Sequence, residues 1–152
     1  MSKQAPLYLI ANNIRSLFNV GALFRCADVF GVDKVFLCGY TATPPRKEIS
    51  KTALGAEGWI AWEHQRQAGR LITNLKRDGV QIVALEINKK AIPLPKFQPR
   101  FPLALVVGNE VTGVNRSVLK SADAIVKIPM LGRKESLNVA VAAAVALYEL
   151  RN

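Results

Sequence analysis

The stretch LALVVGNEVTGV, Leu103 to Val114, changes character half-way. Its first half is apolar at every position, with no alternation of polar and apolar residues. A strand with one wet face alternates. A strand apolar throughout is buried on both faces, as in a parallel sheet covered by helices on each side. The second half is small and polar, with Gly108 and Gly113. In an open α/β sheet ligands bind beyond the carboxyl ends of the strands, where loops of this kind lie. Glycine lets backbone approach a ligand closely there.

The same pattern spreads outward. QIVALEI (81–87) is a second continuous apolar run. LYLIA (7–11), KVFLCG (34–39), IAWEH (60–64) and AIVKIPM (124–130) read as further short strands. Helical spacing fills the gaps. In NVGALFRCADVFG (19–31), Val20, Leu23, Phe24, Ala27 and Phe30 share one face, with Asn19 placed to cap the start and Gly31 to close the end. RQAGRLITNLKRDG (66–79) sets Ala68, Leu71, Ile72 and Leu75 at helical spacing, and a last helix runs from about Asn138 to Leu150. Residues 40–50 and 88–100 read as Pro-rich basic loops. Strands and helices alternate, which predicts an α/β fold with a mostly parallel sheet flanked by helices. No repeat or linker divides residues 1–152, so one domain is expected.

Composition narrows the function. The chain has 152 residues, 21 Lys and Arg against 11 Asp and Glu, and a formal net charge of +10. Such an excess favours polyanionic partners, nucleic acid first. The opening MSKQAPLYLI is too short an apolar run for a signal peptide, and no stretch is long enough to span a bilayer. A cytoplasmic protein without a membrane partner is expected. Cys26 and Cys38 read as reduced core residues. His64 is the single histidine, so no zinc site and no other metal is expected. The dinucleotide fingerprint G-x-G-x-x-G is absent. GNEVTG (108–113) has P-loop spacing but continues Val114-Asn115 instead of Lys-Ser/Thr, which removes the phosphate and magnesium chemistry. No G-x-S-x-G elbow is present either.

Three stretches carry a resemblance. NVGALFRCA, LALVVGNEVTGV and KIPMLGRKESLNVAVAAAVALYE resemble, in order, the three signature motifs of the SpoU/TrmH-type RNA 2′-O-ribose methyltransferases of the SPOUT superfamily. The resemblance spans nearly the whole chain, and the third motif is the most specific. It implies a sheet whose C-terminal segment forms a trefoil knot, and a homodimer with its active sites near the interface. It also implies S-adenosylmethionine (SAM) as methyl donor, no metal, and tRNA or rRNA as substrate. Arg25 matches the family's catalytic arginine, Asn19 the first-motif asparagine, Glu110 and Gly113 the second motif, and Ser136, Leu137 and Asn138 the third. Gly108, Ile128, Leu137 and Ser136 fall where the family binds SAM, with Leu85 and Glu86 as weaker matches. The RNA-binding extension that many members carry before this domain is not expected here.

Structural duties compete with these roles. Asn19 suits helix capping as well as an active site, and Ser136 or Asn138 suits capping of the last helix. Arg25 has Asp28 three residues on, at ion-pair spacing. If catalytic, it stands at the mouth of the SAM pocket; it acts as a base or clamps a phosphate and the developing oxyanion. Guanidinium stays protonated, which favours the clamp. The last helix is apolar on nearly every side, so it is either buried in the monomer or covered by a second copy. Arg46, Lys47, Lys51, Lys89, Lys90, Arg133 and Lys134 suit phosphate contacts or a solvated surface. The alternative function is a non-catalytic RNA-binding or ribosome-assembly factor that keeps the fold.

Overall fold

Residues 4–152 are described in the computed structural model. Strands β1 (Leu7–Asn12), β2 (Lys34–Cys38), β3 (Trp62–Gln65), β4 (Gln81–Leu85), β5 (Ile92–Pro93), β6 (Leu103–Val107) and β7 (Ala124–Lys127) form one sheet. Its order is β3-β2-β1-β6-β4-β7-β5, and every pairing is parallel. Helices α1 (Leu17–Val29), α2 (Lys47–Ala53), α3 (Ala68–Arg77), α4 (Arg116–Ser121) and α5 (Val139–Arg151) cover it.

The unbroken apolar runs serve two layers at once. In β6 every residue is buried. Leu103, Leu105 and Val107 join the core under α1 and α5, while Ala104 and Val106 join the core under α3 and α4. Side chains alternate across the sheet, so a strand covered on both faces needs apolar residues at odd and even positions alike. Cys38 is buried in the second of these cores, and burial pushes its thiol up to about 12. Cys26 is only half-buried, with its Sγ 3.7 Å from the Ala140 carbonyl.

Several elements depart from the sequence reading. α1 starts earlier than expected: Ser16, not Asn19, is its cap, and the Ser16 hydroxyl accepts from the Asn19 N–H at 3.2 Å. The basic loop 40–50 gives way to α2 at Lys47. The loop 88–100 contains β5 and a short 3-10 turn, Leu94–Lys96. α4 was not anticipated, because six residues are too few for a helical period to show. The expected strand over 124–130 ends at Lys127.

Two close approaches fix the α1 side. Gly21 faces α2, where an added Cβ would sit 2.1 Å from both the Ile49 carbonyl oxygen and the Thr52 hydroxyl. Thr52 also donates to the Phe18 carbonyl at 2.6 Å. At the far end, Arg151 of α5 donates to the carbonyls of Ala5 (3.1 Å) and Phe30 (3.2 Å), and also to that of Gly31.

Gly21→Ala sets two effects against each other. Helix propensity alone gains up to about 1 kcal/mol. Overpacking against a neighbouring backbone costs typically about 1–3 kcal/mol. At 2.1 Å the clash dominates, so the urea midpoint should fall. A midpoint at or above that of the unsubstituted chain would contradict this α1–α2 packing.

Candidate active site

Beyond the carboxyl ends of β4, β6 and β7, three loops enclose a cleft of about 200 Å³. Leu85, Glu86, Gly108, Glu110, Ile128, Ser136 and Leu137, all expected at the site, line it together with Gly113. Apolar walls from Val107, Ile128 and Ala142 suit a flat heterocycle. The loop after β6 is folded tightly enough that a Cβ on Gly108 would lie 2.4 Å from the Gly113 carbonyl oxygen. Glu86 pins that loop from below, accepting from the Val114 N–H at 2.8 Å and from its neighbour Ile87 at 3.0 Å. Among the described residues no group of three His, Cys, Asp or Glu side chains is placed to hold a metal.

Glu110 does not stand free in this loop. Its carboxylate reaches the residues leading into α1 and accepts from the N–H groups of Arg15 and of the cap residue Ser16, both at 2.8 Å. It accepts a third bond from the Asn19 side-chain amide at 2.9 Å. A helix N-terminus presents unpaired N–H groups and partial positive charge, so a carboxylate is well satisfied there. Burial pushes the Glu110 pKa up, but the three hydrogen bonds outweigh it and hold the carboxyl below its ordinary range.

The chain of contacts continues. Asn138 donates to the Asn19 side-chain oxygen at 3.0 Å. Its own oxygen caps α5, accepting from Ala140 at 2.9 Å and Val141 at 3.2 Å. Asn138 therefore caps α5 and joins this hydrogen-bonded chain at the same time, and Ser136 is exposed on the cleft wall instead of capping.

Arg25 lies elsewhere. It is exposed on α1, in a groove between α1, α2 and α5 that Asn19, Lys51 and Asn138 also line, and it is not among the residues of the cleft wall. Within one chain it lies on the other side of the Glu110–Asn19–Asn138 partition from the cleft. Its ion pair with Asp28 does not form. Asp28 instead accepts from the Trp59 indole N–H at 2.7 Å. Among the described residues Arg25 has no ion pair.

A model of the SpoU rRNA Methylase family matches residues 6–148. The chain belongs to the SpoU rRNA methylase family. The Escherichia coli (strain K12) tRNA (guanosine(18)-2'-O)-methyltransferase is 31% identical over 149 residues, covering 97% of this chain and 63% of that relative. The chain thus spans somewhat less than two thirds of the length of that relative. Among solved structures, the Aquifex aeolicus TrmH/SpoU tRNA modifying enzyme superposes with a TM-score of 0.88 at 30% identity, over 98% of this chain and 75% of that one. An AdoMet-bound rRNA methyltransferase from Sinorhizobium meliloti gives 0.89 at 27% identity, over 99% and 58%.

Two polar groups of this SpoU-family site escaped the sequence reading. Ser16 was legible as a capping residue one position before the apolar spacing begins, but Asn19 drew that role. Asn109 had no periodic signal. Its side chain organises the loop, donating to the Asn13 carbonyl at 3.0 Å and the Tyr40 hydroxyl at 2.7 Å. Its oxygen accepts from Val111 at 2.8 Å and Thr112 at 3.0 Å. Asn is suited to such local turns.

The depressed Glu110 pKa makes a pH prediction. A carboxyl with a lowered folded pKa contributes stability above its unfolded value, near 4.3, and loses it as pH falls through that value towards the folded one. Glu110→Gln should lose about 1–3 kcal/mol at neutral pH. It should also flatten the acid limb of stability measured by urea unfolding between pH 6 and pH 3, each a rough working limit set around that carboxyl range. An acid limb as steep as that of the unsubstituted chain would assign the acid sensitivity to another group.

Proposed function

We propose that residues 1–152 act as one methyl-transfer domain, moving a methyl group from SAM to a ribose 2′-hydroxyl of tRNA or rRNA, and that two copies work as a homodimer. The observation that carries this reading is the partition. A cleft with the matched cofactor residues and a groove with the matched arginine share one polar wall, Glu110–Asn19–Asn138. The AdoMet-bound neighbour and the relatives named for tRNA and rRNA supply the cofactor and substrate classes. The C-terminal trefoil knot belongs to the same proposal. Its support is that residues 128–137, ahead of α5, run along the wall that the 108–113 loop also forms.

When bound, the donor supplies a methyl group on a positively charged sulfur that departs as a neutral thioether. The chain's own residues do the positioning, which contributes much of the rate in such transfers. Leu85, Ile128 and Leu137 would hold the heterocycle, and the tight Gly108–Gly113 turn would offer it backbone groups. Glu110 has both oxygens engaged by N–H donors, so it orients and does not take up the ribose proton. Ser136 faces the cleft and is exposed to the incoming ribose. Arg25, permanently charged, clamps a phosphate and stabilises negative charge on the 2′-oxygen as the hydroxyl proton passes to solvent water.

Arg25 does not line the cleft of its own chain, so a second copy completes the site. α5 buries Ala143, Ala146, Leu147 and Leu150 against the sheet and leaves Val141, Val145 and Tyr148 exposed at helical spacing. Val29 of α1 is 64% exposed beside them. A partner laid on this face covers the apolar surface and brings each Arg25 towards the other copy's cleft.

Arg25→Ala should reduce single-turnover transfer to RNA by about 10²–10³-fold. SAM affinity by calorimetry should be nearly unchanged. Lysine lacks the planar fork, so Arg25→Lys should also be poor. Near-normal transfer by Arg25→Ala would remove the arginine from the mechanism. A folded chain that binds no SAM would favour the non-catalytic RNA-binding reading. Sedimentation at micromolar concentration should give a dimer mass, and a clean monomer would remove the shared site.

A further inference from the structure

We propose that Lys51 is a second phosphate ligand, which with Arg25 forms a two-cation clamp on one phosphodiester of the RNA. This rests on the RNA reading above and makes it more specific. Lys51 comes from α2 and Arg25 from α1, yet both line the same groove. No carboxylate lines it with them. The acids on neighbouring turns are engaged elsewhere. Asp28 takes the Trp59 indole N–H at 2.7 Å, Glu48 faces Arg46 at 3.5 Å, and Glu57 accepts from the Ser50 hydroxyl at 2.6 Å. Among the described residues neither Lys51 nor Arg25 has an ion-pair partner.

Two like charges in one groove repel, and a bound anion reverses the sign of that term. The apolar side chains of Phe18, Val29 and Val141 form the rest of the groove, which weakens solvent screening of a charge held there. A phosphodiester has one charge and two free oxygens. The planar fork of Arg25 matches the two oxygens, and Lys51 adds a flexible point charge from the neighbouring helix. The polar end of the groove is closed by Asn19 and Asn138, the residues that partition it from the cleft. A phosphate held by both cations is therefore fixed beside the face through which Arg25 approaches the other copy's cleft, so that Lys51 sets the register of the strand entering that cleft.

The test is binding of unfractionated tRNA across a salt series, with Lys51→Ala, Lys51→Arg and, as a charge-matched control on the opposite face of the sheet, Lys120→Ala. Each neutralised phosphate contributes a slope of about 0.9 in log affinity against log salt. Lys51→Ala should therefore weaken binding about tenfold at roughly 0.1 M salt and flatten the slope, by less than one because Arg25 still neutralises the same phosphate. Lys51→Arg should restore the slope. SAM affinity should stay unchanged in all three. A Lys51→Ala slope no flatter than that of Lys120→Ala would reduce Lys51 to general surface charge and overturn the clamp. So would lost SAM binding, which would make Lys51 structural. Weaker dimerisation with an unchanged salt slope would assign Lys51 to the partner copy instead. If the unsubstituted chain itself neither binds tRNA nor transfers methyl to total RNA, the functional reading falls. If it does both while Lys51→Ala is silent, only the clamp falls.

Discussion

A carboxylate seated on a helix N-terminus organises this molecule. Glu110 leaves the loop after β6, crosses to α1 and accepts three N–H bonds there. Because the third comes from Asn19, and Asn19 in turn holds Asn138, one charge fixes the start of α1, the loop after β6 and the start of α5. These three elements lie far apart in sequence and carry the three matched motifs. Losing the charge would leave several N–H donors unpaired together, so the effect of its removal spreads well beyond one contact.

The same arrangement divides the labour of the surface. On one side of the partition the walls are apolar and backbone-rich, suited to a flat ligand of fixed shape. On the other side the groove offers two cations and exposed aliphatic residues, suited to a phosphate and a second copy. Glu110, the second-motif carboxylate, is fully engaged in holding this division. Under the proposed function, Ser136 acts on substrate from one side and Arg25 from the other.

Much of the fold was legible because burial on two faces leaves a distinct trace. β6 and β4 are apolar at odd and even positions, and that pattern alone predicts parallel strands under two helical layers. Short elements left no such trace. α2 and α4 have too few residues for a period, and α2 begins within a Pro-rich basic stretch that looks like a loop. At the site, the seven cleft residues came from motif resemblance and are brought together as expected. The position of Arg25 was not legible. Whether a side chain faces its own cleft or a neighbour's depends on how α1 packs against α2 and α5, and local spacing does not carry that information. Asn19 misled for a related reason. Both Ser and Asn suit a helix start, and the choice fell to Ser16 because Glu110 needed the Asn19 amide.

The lacing of Arg151 to the carbonyls of Phe30 and Gly31 bears on how the molecule is made. These groups are 121 and 120 residues apart in sequence. β1, beside the central strand β6, likewise pairs Leu7 with Leu103. Contacts of such long sequence separation slow folding, because loop closure precedes any stabilising contact. On a ribosome adding about 5–20 residues per second, β1 and α1 wait roughly 5–20 s for β6 and α5 to emerge. Through that interval the apolar face of α1 and both sides of β1 lack their final cover. The nascent first half is therefore the period of greatest exposure to aggregation, and a chaperone that shields α1 would act there before any catalytic surface exists.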